Sequence, residues 1–209
     1  MMAVSGWMNG ILRPCRCTAG HGWLQAYPCR GGSAADVSSV NFVGGDVRPN
    51  SVVVPVDDAG EICLVASQPT DVLVDVTGYF DAGTGLDFVS LEPIRLVDTR
   101  ERWEHLNPFT DGAKVRGGTT LRIPVAGVRG VPAEARAASV NVTAIQADVT
   151  TYVTAFPCGT RPGTSSLNLI PWHGVAANGA MVQLSSGGEL CLYVDQPVHL
   201  VVDINGVWR

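Results

Sequence analysis

Residues 22–80 and 151–209 are two versions of one segment. Gly22-Trp23-Leu24-Gln25-Ala26-Tyr27-Pro28-Cys29 aligns with Thr151-Tyr152-Val153-Thr154-Ala155-Phe156-Pro157-Cys158. Ser38-Ser39-Val40-Asn41-Phe42 aligns with Ser165-Ser166-Leu167-Asn168-Leu169, and Gly60-Glu61-Ile62-Cys63-Leu64 with Gly188-Glu189-Leu190-Cys191-Leu192. The match ends on Asp75-Val76-Thr77-Gly78-Tyr79-Phe80 against Asp203-Ile204-Asn205-Gly206-Val207-Trp208. The offset stays between 127 and 129, so the repeating unit is about 130 residues long, the size of a domain rather than of a solenoid repeat. Both copies keep one cysteine pair, a set of alternating apolar positions and a few Asn, Gly and Pro. None of these is catalytic equipment.

The cysteine pairs bear on compartment. Cys29 and Cys63 recur as Cys158 and Cys191 at nearly the same separation, which reads as one disulfide in each unit, worth ~3–4 kcal/mol by the loop-entropy model. Disulfides persist outside the reducing cytosol, so an extracellular or cell-surface location is expected. A shared metal site would need closely spaced Cys or Cys/His ligands, and these widely separated cysteines lack them. Residues 1–21 are expected to be a poorly ordered leader that holds the remaining two cysteines, Cys15 and Cys17. In that segment Ile11-Leu12 runs directly into Arg13-Pro14, too short an apolar stretch for a signal peptide or a membrane span. The conflict between disulfides and the lack of an export signal is resolved by reading the chain as N-terminally truncated or mis-started.

Period-two alternation runs through almost the whole sequence. Val72, Val74 and Val76 correspond to Leu200, Val202 and Ile204, and Val52, Val54 and Val56 to Ala180, Val182 and Leu184. Leu121, Ile123, Val125 and Val140, Val142, Ala144 repeat the pattern. Alternation of this kind, rich in β-branched residues and broken by Gly, Pro, Asn and Asp, predicts half-buried strands. Asp57-Asp58-Ala59-Gly60 and Ser185-Ser186-Gly187-Gly188 each lie between two strand patterns and predict hairpins. No helical periodicity is sustained. The expected fold is therefore all-β, an antiparallel sandwich or barrel: a leader at 1–21, a partial domain at 22–80, a linker at 81–85 and a complete domain at 86–209. The partial domain is expected to lack the counterpart of 86–150, about three strands by the same alternation.

One stretch resembles a known group of proteins. Pro93-Ile94-Arg95-Leu96-Val97-Asp98-Thr99-Arg100, followed by Val128-Arg129-Gly130-Val131-Pro132, Ser139-Val140-Asn141-Val142-Thr143-Ala144, Phe156-Pro157-Cys158-Gly159, Ser165-Ser166-Leu167-Asn168 and the terminal Val-Asp-Ile-x-Gly, is similar to the repeated β-domains of secreted, surface-associated proteins from actinobacteria and related bacteria. The resemblance covers residues 22–80 and 86–209. It implies an extracellular, non-catalytic module, appended to hydrolases or strung in tandem.

Candidate sites follow from the residues themselves. Asp98 between Arg95 and Arg100 suggests an ion-pair network; on strict β periodicity Asp98 and Arg100 share a face and Arg95 lies on the other. We read it as structural, an aspartate fixing the turn after a strand, since carboxylates there satisfy backbone donors. Trp103 and His105, and Trp172 and His173, lie in the loop-like stretches 101–113 and 170–178. Exposed tryptophan beside polar groups is how β-modules stack sugar rings, so these four are the candidate ligand-binding residues. Catalytic signals are weak: Gly163-Thr164-Ser165-Ser166-Leu167 lacks the final glycine of a nucleophile elbow, and the four histidines share no metal-ligand spacing. With a net charge of −5 and scattered basic residues, nothing favours nucleic acid or an anionic membrane. Asn141-Val142-Thr143 is a formal glycosylation sequon inside a strand pattern.

The function expected from these features is a non-catalytic surface module acting as structural spacer, adhesion or recognition element, with no cofactor and no metal. Its partner would be a cell-wall or extracellular glycan, or a surface protein, without membrane insertion. A carbohydrate-binding module serving a secreted hydrolase is the alternative. A hydrolytic enzyme comes third.

Overall fold

The structure is a computed structural model that describes residues 2–7, 20–31, 37–45, 47–81, 83, 85–100 and 112–209, without the side chains of 2–7 and Trp172. The chain divides into two compact units, Met1–Gly85 and Leu86–Arg209.

The second unit is an antiparallel β-sandwich. Its strands are β7 (Phe88–Asp98), β8 (Thr119–Pro124), β9 (Ala137–Ile145), β10 (Thr151–Pro157), β11 (Leu167–Leu169), β12 (Val175–Gln183), β13 (Glu189–Val194) and β14 (His199–Trp208). One sheet has the order β11-β10-β13-β8 and the other β12-β9-β14-β7. Side chains on a strand alternate between faces, and β9 obeys this along its length: Ala138, Val140, Val142 and Ala144 are buried while the residues between them are not. Leu200, Val202 and Ile204 of β14 meet Leu190, Leu192 and Val194 of β13 in one hydrophobic core, all six fully shielded from solvent. Cys158, one residue beyond β10, bonds Cys191 of β13 with Cα atoms 4.9 Å apart.

The first unit is built on the same plan with fewer strands. These are β1 (Met2–Trp7), β2 (His21–Pro28), β3 (Val40–Val43), β4 (Asn50–Val54), β5 (Ile62–Ala66) and β6 (Leu73–Tyr79). They form sheets β3-β2-β5 and β4-β1-β6, the order of β11-β10-β13 and β12-β9-β14. The register repeats as well: Tyr27 opposes Cys63 as Phe156 opposes Cys191. Cys29 bonds Cys63, again with Cα atoms 4.9 Å apart.

Three expectations are corrected here. The segment 1–21 is not all leader, because Met2–Trp7 is a strand between β4 and β6 and β2 begins at His21. Val4 opposes both Val52 and Val76, as Val140 opposes Ala180 and Ile204, so β1 is the counterpart of β9. Its sequence, Met-Ala-Val-Ser-Gly-Trp, does not alternate apolar with polar residues, so the strand carries no period-two signal. In consequence the first unit lacks counterparts of two strands among the described residues, β7 and β8, rather than about three. Cys15 and Cys17 lie outside the described residues.

The third correction concerns the turns. Gly60 and Gly188 sit at φ 77° and 73°, the left-handed region that glycine enters without penalty. The amide of Asp57 donates to the carbonyl of Glu61, and that of Ser185 to the carbonyl of Glu189. These are the tight turns foreseen. Yet β4 and β5 belong to different sheets, as do β12 and β13, so each turn carries the chain from one layer to the other and neither closes a hairpin. Local residues set the turn, whereas the choice of pairing partner is a long-range matter of burial.

Asn141 of the sequon lies in β9, paired on both sides, with its amide donating to Thr143 Oγ1 at 3.3 Å.

Gly206 and its counterpart Gly78 give a paired test of packing. A Cβ at Gly206 would fall 2.3 Å from the Phe88 ring, whereas one at Gly78 would meet nothing within 4 Å. Gly206→Ala is expected to destabilise the second unit by ~1–3 kcal/mol through overpacking, and Gly78→Ala to stay within ~0.5 kcal/mol. Thermal denaturation of the two variants checks this, and equal shifts would contradict it.

Candidate functional site

The densest polar arrangement is where β7 meets β14. The backbone register shifts here: Val97 opposes Val202, but the next residue of β14, Asp203, opposes Arg95 and leaves Leu96 as an extra residue in β7. An extra residue reverses the alternation on one side of a bulge. Arg95 therefore lies on the same side as Asp98, against the strict-periodicity expectation that put it on the other.

The result is a chain of four alternating charges, Asp203, Arg95, Asp98 and Arg100. Arg95 Nε donates to Asp203 Oδ1 at 2.8 Å and its Nη2 to Asp203 Oδ2 at 3.1 Å. Arg95 Nη1 reaches Asp98 Oδ2 at 3.1 Å. On the other side Arg100 donates through Nη2 to Asp98 Oδ2 at 2.6 Å, and through Nε and its backbone amide to Oδ1 at 2.9 and 3.1 Å. The Asp98 side chain is only 1% exposed, and an unpaired carboxylate at that depth would be costly. Hydrogen bonds from Arg100 hold it below its ordinary pKa of 3.8, against the opposing effect of burial. Two carboxylates and two guanidinium groups neutralise one another, and the capacity of Asp98 to accept is used up. The arrangement clamps the exit of β7 to the middle of β14.

Thr99 continues the clamp. Its Oγ1 accepts from the amide of Leu200 at 2.9 Å, and both its Oγ1 and its carbonyl lie within 3.2 Å of His199 Nδ1.

Most of the other candidates lie outside the described residues. Trp103 and His105 lie outside the described residues, with most of the loop 101–113. In the expected loop 170–178, Pro171–His173 form a single 3-10 turn and β12 already begins at Val175. His173 is half-buried there, and the Trp172 side chain is outside the described residues.

Two features escape a reading of the sequence. Tyr152 and Tyr193 have ring centroids 5.9 Å apart, and the Arg161 guanidinium lies 3.8 Å over the Tyr193 ring, a cation–π contact. Neither tyrosine sits in a motif; only the pairing of β10 with β13 makes them neighbours. An open groove of about 680 Å³ is also present, lined by Glu134, Arg136, Gln183 and Ser185 among others. Among the described residues Glu134 is its one carboxylate, held by Arg209, and no second acid faces it as glycoside hydrolysis would use.

A second conserved constellation ties the sheets of each unit. The Ser39 and Ser166 hydroxyls accept from the amides of Ala26 and Ala155, each at 3.0 Å. Asn178 Nδ2 donates to the carbonyl of Ser166 at 2.8 Å, and Asn50 Nδ2 donates to the carbonyl of Ser39. Asn50 and Asn178 stand on β4 and β12, so each bond crosses to the other layer. The duplicated Asn, Ser and Cys are thus scaffold.

Comparison with known proteins adds no family. No protein-family model and no curated protein matches the chain.

Asp98→Asn is expected to cost the second unit ~1.5–3 kcal/mol, the range for hydrogen bonds to a charged group. Because the folded pKa of Asp98 is lowered, its contribution is complete above about pH 4 and is lost as pH falls through the lowered value. Denaturant titrations between neutral pH and strong acid should show that loss in the native protein, diminished in Asp98→Asn. An unchanged slope would show that the carboxylate is not what the clamp depends on.

Proposed function

We propose that the protein is a non-catalytic module displayed on a cell surface, serving as a rigid spacer and recognition element. The observation that carries this reading is the duplicated scaffold. Each unit is held by a disulfide and by the same serine–asparagine bond between layers, and the four-charge chain of the second unit is spent on its own strand ends. Two disulfides belong to an oxidising environment, which supports an extracellular placement. Among the described residues no helix is long and apolar enough to cross a membrane. Sequence similarity to the repeated β-domains of secreted actinobacterial proteins points the same way.

The alternative, carbohydrate binding, has one observation in its favour. The amides of His173 and Gly174 close the turn on Ile170 and Pro171, fixing the backbone that carries Trp172. Tryptophan fluorescence titrated with cell-wall glycans, against Trp172→Phe as control, decides for it if a saturable change disappears in the variant.

Differential thiol labelling of protein taken from its native source tests the main reading. Cys29, Cys63, Cys158 and Cys191 should resist alkylation until reduced, and the protein should sediment with the cell-envelope fraction. Free thiols at Cys158 and Cys191 would overturn the extracellular placement.

A further inference from the structure

The duplication keeps a further set of residues that the scaffold does not use. Trp23 of β2 stands opposite Asn41 of β3, and Tyr152 of β10 stands opposite Asn168 of β11. Residues directly opposed across a ladder share a face. In the second unit that face is the outer one, because the flanking Val153, Leu167 and Leu169 enter the core. In the first unit Phe42 is buried and Asn41 beside it is exposed. The amides of Ser67 and Asp195 donate to the carbonyls of Trp23 and Tyr152 at 2.9 and 3.1 Å, and each donor is followed by the same exposed dipeptide, Gln68-Pro69 or Gln196-Pro197. Each unit therefore repeats an aromatic ring, an asparagine across the ladder and a glutamine one residue beyond the strand's backbone partner.

These side chains contribute little to the fold. Among the described residues those of Asn41 and Gln68 make no hydrogen bond, the Nδ2 of Asn168 has no partner, and Gln196 Nε2 reaches only the neighbouring Asp195 at 3.4 Å. Trp23 is 37% exposed and Tyr152 half-buried. The serine–asparagine bond and the disulfide are retained because they hold the layers together. An exposed amide that bonds to nothing has no such reason to recur at the same register.

The chemistry of the set is specific. A ring offers its apolar face to a pyranose, and a primary amide both donates to and accepts from hydroxyl groups. No charged side chain belongs to the part that both units share, so a neutral ligand fits it. In the second unit Arg161 lies over Tyr193 and its Nη1 donates to Tyr152 Oη at 3.4 Å, which steadies the Tyr152 ring from the side.

We propose that the outer face of the disulfide-bearing sheet in each unit is a neutral-saccharide site, with Trp23 or Tyr152 stacking on a sugar ring and the paired Asn and Gln amides bonding its hydroxyls. The chain then carries two such sites, both apart from the turn at Trp172. The proposal rests on the recognition role proposed above and gives it a ligand class.

The test is isothermal titration calorimetry of the full chain with neutral hexasaccharides of glucose, N-acetylglucosamine, mannose and xylose. Saturable binding of at least one, at two sites per chain, is expected. Trp23→Ala and Tyr152→Ala should each leave one site and the double variant none, while Trp172→Phe keeps both. Asn41→Ala and Gln68→Ala change exposed side chains without hydrogen bonds, so they keep the test open if Trp23→Ala fails to fold; each should weaken the first unit's site about tenfold, a factor equal to 1.4 kcal/mol. No binding across the panel overturns the proposal and leaves the surface-spacer reading to the thiol-labelling result. Binding lost in Trp172→Phe but kept in the double variant overturns it in favour of the turn at 171–173.

Discussion

Strand β14 is the member on which the second unit depends. It is flanked on both sides, by β9 and β7, and its inward residues form the floor of the core. With both flanks paired, the amides and carbonyls of β14 are satisfied where its apolar face enters the core. The first unit shows the same strand type with one flank described, and there Val74 and Val76 are 41% and 59% exposed.

The polar groups follow from this. Where β7 joins β14, the bulge at Leu96 turns Arg95 toward Asp98, and a four-charge chain adds to the ladder there. A buried ion pair is weak evidence for net stability, since desolvation offsets much of the attraction. Its value here is positional: removing either partner would strand a charge, so β7 has one favoured register. The serine–asparagine bonds between layers act in the same sense and occur in both units.

Much of the fold was legible because alternation is a local property. Val140, Val142 and Ala144, or Leu200, Val202 and Ile204, announce a buried face without reference to any partner. The disulfides were legible because duplication supplied a second instance of each cysteine. Sheet membership was not legible: the turns at Gly60 and Gly188 read as hairpins, and only the packing of two layers reveals that they cross between them. Of the polar network, Arg95, Asp98 and Arg100 were visible as neighbours in sequence, but Asp203 lies 108 residues from Arg95 and the bulge that unites them leaves no mark in composition. The Tyr152–Tyr193 pair was hidden for the same reason.

The placement of β7 at the edge beside β14 has a consequence for biosynthesis. Among the described residues the earliest strand of the unit has its sheet neighbour in the latest one, so translation runs through the whole unit before β7 can pair with β14. Until then its Leu91, Ile94 and Leu96 are a nascent apolar ribbon, and ordering by local contacts alone cannot shield them. Such a chain is slow to close and needs protection while it emerges, which makes the interval between making β7 and making β14 the moment at which this architecture is most open to mispairing.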